Sequence, residues 1–206
     1  MQLFNKRPNN DNPQSPNYSA PKLRIISLGG VAVNKNMYVY ETDRDIIIVD
    51  CGVAFPHEGM PGIDLIIPDA SYLDDKKNKI RGIILTHGHE DHTGALPYVL
   101  PTLGNYPIYG SKLTLGLAQN RVAEAGIDVD WHPVDVNETV NLGDFQVSFV
   151  HVAHSIPDAT NLIIKTPAGT IYHGSDFKFD WTPVDGRPTE VQKIAQAGKE
   201  GVLCLL

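Results

Sequence analysis

From Lys22 onward the chain alternates short apolar runs with turn residues, and most of the runs have the length of strands rather than helices. Residues 22–28, 36–41 and 45–50 read as strands, the last two joined into a hairpin by Thr42, Asp43 and Arg44. Residues 82–86 read as another, and the consecutive Ile83, Ile84 and Leu85 predict burial on both of its faces. Over 147–152, Val147, Phe149 and His151 alternate with Ser148, Val150 and Val152. Residues 162–166 and 170–173 flank Pro167, Ala168 and Gly169, which predicts a second hairpin.

Helical spacing is confined to three stretches. Ser111 is placed to cap a helix with the apolar stripe Leu113, Leu117, Ala118 and Val122, and Gly126 stands where its C-terminal cap is expected. Pro188 is expected to open a second helix, with Glu190 in the first turn, Val191, Ile194 and Ala195 as its stripe and Gly198 as its stop. A third is expected to start near Gly94, with Pro97 in the first turn, where a missing N–H costs little. Strands interleaved with helices make this an α/β chain. The apolar segment 201–206 reads either as a strand tucked into a sheet or as the mark of a truncated sequence.

Composition narrows the choices. With 206 residues, 42% of them hydrophobic, one domain is expected to hold its core without disulfides. Cys51 and Cys204 lie in apolar surroundings and read as buried core thiols of a reducing compartment. Apolar runs such as 46–49 fall far short of the roughly 20 residues that span a bilayer, so no membrane partner is expected. Residues 1–21 are rich in Pro and Asn and have no apolar centre, which predicts a disordered tail rather than a signal peptide, and a cytoplasmic protein. The net charge of −7 taken alone argues against a nucleic-acid partner, which usually meets a basic face.

The candidate chemistry lies in the histidines. Three of the eight fall in Thr86-His87-Gly88-His89-Glu90-Asp91-His92, between a buried strand and a helix start. Imidazole and carboxylate are the common ligands of zinc and similar ions. His87 and His89, two apart in an extended segment, can project to one side, while Gly88 spares the ion a crowding side chain. The adjacent Asp91 and His92 diverge and suit a second, neighbouring ion. Three further strands lead to polar residues at or just past their ends: Asp50, then His154 and Ser155, then Asp176. If the four strands share one sheet edge, these residues converge there, as ligands do in open α/β sheets. His151 and His173 lie within strands and have ordinary structural readings, whereas His57 and His132 are placed in Pro-containing loops and are expected to face solvent.

The pattern H-x-H-x-D-H with a later His and a later Asp resembles the metallo-β-lactamase superfamily. Residues 87–98, 60–64, 67–69, 154–158 and 176–180 further resemble the ribonuclease J family over about residues 22–206. The resemblance implies an αββα sandwich, incomplete at its C-terminal end, holding two divalent ions, zinc first and manganese as the other choice. It implies that His87, His89 and His154 bind one ion, that the catalytic pair Asp91 and His92 binds the second, and that Asp176 bridges them. Asp50 is implied as the outer partner that orients a ligand. The implied reaction is metal-dependent hydrolysis of single-stranded RNA by a hydroxide between the ions, from the 5′ end, internally or both, in rRNA processing and mRNA decay, by a homo-oligomer. Family members continue into a β-CASP insertion that forms the RNA channel, and later supply one more histidine, which predicts that residues 22–206 stop before that insertion. They also carry a longer Gly-rich loop with a glutamate where this chain has residues 29–36. Two divalent ions would offset more than half of the negative excess and place positive charge where phosphate must go. Two other readings are a small-molecule hydrolase of the glyoxalase II or lactonase kind, and an inactive fragment.

Overall fold

The computed structural model describes residues 20–30 and 34–206. All but the end of the expected 1–21 tail, and the middle of the 29–36 loop, lie outside the described residues. Among those described, the strands form two sheets. The first places β1 (Arg24–Ser27), β2 (Tyr38–Glu41), β3 (Ile46–Val49), β4 (Ile80–Ile84), β5 (Ile108–Gly110) and β6 (Trp131–Pro133) side by side in chain order. The second holds β7 (Thr139–Leu142), β8 (Phe145–His151), β9 (Thr160–Thr166), β10 (Gly169–His173) and β11 (Cys204–Leu205). β3 to β6 run parallel, whereas β7 to β10 are antiparallel neighbours and β11 joins β10 in parallel. Both expected hairpins form, with Glu41 opposite Ile46 and Thr166 opposite Gly169.

Alternation within the strands builds the layers. Ile46 and Ile48 of β3, with Ile83 and Leu85, face one core together with Leu96, Val99, Leu100 and Leu103 of α2 (Leu96–Leu103) and Leu115, Ala118 and Val122 of α3 (Lys112–Glu124). Ile47, Val49 and Ile84 face the opposite core, against Phe145, Val147, Phe149, Leu162, Ile164 and Ile171 of the second sheet. A smaller cluster of Val150, Tyr172 and Ala197 joins that sheet to α4 (Val191–Glu200). The order is therefore helices, sheet, sheet, helix, and Ile83, Ile84 and Leu85 are buried on both faces as expected.

Several sequence expectations shift. In α3 the Ser111 hydroxyl accepts the Thr114 N–H at 3.2 Å, and Gly126 takes a left-handed φ of 71° just past the last turn. Leu113 and Leu117 of the expected stripe are exposed, and Leu115 takes the core position instead. α4 starts after Glu190 rather than at Pro188, carries Gly198 inside it and ends at Gly201, whose φ of 101° favours glycine. Ala197, not Ala195, is its buried alanine, because the packing against Val150 and Tyr172 sets which side faces in. Cys51 is buried, but Cys204 is half-exposed on β11 at the sheet edge. His132 lies in β6 rather than a loop, half-buried, stacked on Tyr109 at 4.9 Å and paired with Asp130 at 2.8 Å.

Burial pushes the Cys51 thiol up, so it resists both ionisation and access. A thiol reagent should therefore titrate one cysteine in the native protein and two in denaturant, and none in native Cys204→Ser. Two rapidly reacting native thiols would place Cys51 outside the core.

Candidate metal centre

The polar residues that follow β3, β4, β8 and β10 do meet, but not on one sheet edge. β3 and β4 belong to one sheet and β8 and β10 to the other, so the site lies where the ends of the two sheets come together. Thr86, just past β4, is the joint. Its carbonyl accepts the Thr160 N–H at 3.0 Å and the Thr160 hydroxyl at 2.9 Å, and its own hydroxyl lies 2.9 Å from that of Ser175.

Asp50 follows β3 with a left-handed φ of 61°, strained for a residue other than glycine. It has no exposed surface. Its carboxylate accepts the Thr86 N–H at 2.8 Å and the Thr86 hydroxyl at 2.8 Å, and lies 2.7 Å from His92 Nδ1. Burial works to raise this carboxyl, but the charge and hydrogen bond of His92 outweigh it and hold it below the usual carboxylate range. The contact of Asp50 with Nδ1 turns the other ring nitrogen of His92, Nε2, toward the cluster.

Two groups of ligand atoms result. His87, His89, His154 and Asp176 each offer one atom, all within 4.8 Å of one another, and Asp91, His92 and Asp176 do the same. His89 Nδ1 lies 3.0 Å from His87 Nε2 and 3.2 Å from His154 Nε2. Nitrogens placed tetrahedrally around zinc would stand about 3.3 Å apart, so this spacing fits an ion. Asp176 serves both groups: Oδ2 lies 3.5 Å from His154 Nε2 and Oδ1 lies 3.8 Å from His92 Nε2. Asp91 Oδ2 stands 3.6 Å from His92 Nε2, so these adjacent side chains converge rather than diverge, both in the short helix α1 (Glu90–Thr93). Burial, with His92 nearby, pushes His87 down to about 3, leaving it neutral and able to donate a lone pair. The fold and this His/Asp cluster suit divalent metal binding.

The remaining histidines stand apart from these groups. His173 Nδ1 is 2.8 Å from the Tyr40 hydroxyl in the core, the Nε2 of buried His151 is 2.9 Å from the Arg187 carbonyl, and His57 is exposed. Gly88 leaves room for Leu117 of α3, since a Cβ there would lie 2.6 Å from the leucine Cδ1.

Sequence reasoning passed over three residues that shape the site: Thr86, Asn36 and Gly52. The Asn36 amide nitrogen reaches the Asp91 carbonyl at 3.2 Å and His92 Nε2 at 3.0 Å. Residues 51–53 lie against the ligand helix: the N–H groups of Cys51 and Val53 donate to the carbonyls of His92 and Glu90 at 2.7 and 3.0 Å. A Cβ on Gly52 would run into the Asp91 carbonyl. A glycine two residues after an aspartate carries no signal by itself, because its partner lies far along the chain.

Gly52→Ala should force that backbone apart, costing about 1–3 kcal/mol and lowering bound metal. Urea unfolding and metal analysis check it, and a wild-type midpoint with wild-type metal content would remove Gly52 from the site's construction.

A model of the metallo-beta-lactamase superfamily matches residues 30–195. The chain is 42% identical over 205 residues to ribonuclease J of Thermus thermophilus, covering 94% of this chain and 36% of that protein. It is 43% identical over 192 residues to ribonuclease J of Helicobacter pylori, covering 91% and 28%. It thus spans about a third of the length of these curated relatives. Among solved structures, a protein of unknown function from Enterococcus faecalis matches with TM-score 0.59 and 18% identity over 78% of this chain and 44% of that one. YhfI from Bacillus subtilis, a metallo-beta-lactamase fold protein, matches with TM-score 0.53 and 17% identity over 74% and 61%. Fold, motif and family model agree, and the chain belongs to the metallo-β-lactamase superfamily.

Proposed function

We propose that residues 22–206 are the N-terminal metallo-β-lactamase part of a ribonuclease J-like enzyme that hydrolyses single-stranded RNA. The observation that carries the metal chemistry is the placement of Asp176, one carboxylate oxygen toward each ligand group. The choice of RNA rests on the 41–43% identity to ribonucleases J. His87, His89, His154 and Asp176 would hold one divalent ion, and Asp91, His92 and Asp176 a second, zinc before manganese. Such a pair supplies a water of lowered pKa and stabilises charge on an attacked phosphorus.

The chain's own residues prepare that chemistry. Asp50 and Thr86 fix the His92 ring from behind. His87 and His92 are buried, whereas the Asp91 and Asp176 side chains are 21% and 37% exposed, so a phosphodiester reaches the cluster from the carboxylate side. The cytoplasmic setting and homo-oligomeric assembly implied by the resemblance belong to the same proposal, and no described helix is long and apolar enough to cross a membrane.

Purified chain should bind two equivalents of zinc or manganese by metal analysis, and Asp176→Ala fewer. The metal-loaded chain should cleave single-stranded RNA but neither S-lactoylglutathione nor homoserine lactones. His87→Ala and Asp176→Ala should abolish cleavage, while His57→Ala leaves it unchanged. Full activity in Asp176→Ala with intact metal content would overturn the assignment.

A further inference from the structure

Beside the ligand groups lies a cleft of about 320 Å³ that shares His154 with them. Ala153, Ser155 and Pro157 form the wall that continues from His154, and Lys178, Val184 and Asp185 belong to the segment after Asp176. Lys178 is held there by its backbone. Its N–H donates to the Ala153 carbonyl at 2.7 Å and its carbonyl accepts the Thr189 hydroxyl at 3.2 Å, so its position one residue from His154 does not depend on its side chain. The ammonium is half-exposed and 3.0 Å from the Asp180 carboxylate. An exposed pair of this kind holds its partners weakly, so the ammonium can turn to a stronger anion. Arg121 and Arg187 make similarly exposed pairs, with Glu90 and Asp158, but neither arginine lines this cleft. Asp185 also lines the cleft, and its carboxylate accepts the Arg187 N–H at 3.1 Å.

We infer that this cleft takes the nucleotide next to the scissile phosphodiester and that Lys178 neutralises that nucleotide's phosphate. The inference rests on the ribonuclease reading and adds a binding residue to it. A strand running past Asp176 and His154 has to cross an acidic chain, and a cation beside the ligand groups offsets the repulsion that the adjoining phosphate would meet. Ser155 offers a hydroxyl on the facing wall.

The test is the binding of a fluorescein-labelled, phosphorothioate-linked oligouridylate to the metal-loaded chain, followed by anisotropy across a salt series. One released counterion predicts that Lys178→Gln weakens binding about fivefold at roughly 0.1 M monovalent salt and lowers the slope of log K against log salt by about 0.7. Lys178→Arg should keep the wild-type slope, Lys178→Glu should weaken binding further, and Lys199→Gln on α4 should change nothing. Metal content must match wild type in each, which separates loss of the phosphate contact from damage to the ligand groups. Unchanged affinity and slope in Lys178→Gln, with wild-type RNA binding intact, would overturn the inference and leave the ribonuclease reading standing. A metal-loaded wild-type chain that binds no RNA would overturn both.

Discussion

A carboxylate without any exposed surface stands behind the ligand cluster, and much of the site's construction follows from the cost of keeping it charged there. Burying an isolated carboxylate costs several kcal/mol or more unless hydrogen bonds replace its water. Asp50 obtains three partners: the Thr86 amide, the Thr86 hydroxyl and His92 Nδ1. Each constrains something else. The hydrogen bond from the Thr86 amide ties the end of β3 to the residue past β4, and the imidazole contact orients the His92 ring so that Nε2 faces the ligand group. The strained backbone of Asp50 is held in place because its own N–H donates to the Ile84 carbonyl at 2.8 Å.

The second constraint is closure between the sheets. His87, His89, Asp91 and His92 follow the first sheet, whereas His154 and Asp176 follow strands of the second. The ligand set therefore exists only if the sheets meet in one register. Thr86 fixes that register through Thr160 and Ser175, and the Tyr40–His173 bond fixes it again inside the core. A cation held by both halves would join the sheets, so ligand binding and the closing of the sandwich draw on the same free energy.

This division explains what the sequence made legible. The His and Asp residues of 86–92 stand together in the chain and in space, so their spacing alone pointed to a metal. The Ile83–Leu85 run was equally readable, because burial on both faces leaves no polar position. Thr86 and Gly52 were not readable, since an ordinary threonine and an ordinary glycine acquire their roles from Thr160, Ser175 and the Asp91 carbonyl, all distant in sequence. Leu117 shows the limit of periodicity: the same helical spacing suits a core residue and one that covers Gly88 at the rim. In α4, Gly198 read as a stop, yet packing of Ile194 and Ala197 carries the helix on to Gly201, where the backbone turns left-handed.

The segment after Asp176 carries two environments at once. Lys178 pairs across an isolated bridge with Ala153 and lines the cleft beside His154, while Phe177 and Phe179 turn to the other side, into an apolar groove with Tyr172, Val202 and Leu205. This is the two-residue alternation of an extended chain applied to function rather than to a core. Moving the register by one residue would place a phenylalanine beside the ligand group and a lysine in the groove. The bridge to Ala153 and the Thr189 hydroxyl prevent that slip. The position of the one carboxylate shared by both ligand groups is therefore set by the same backbone bonds that keep its aromatic neighbours away from the site.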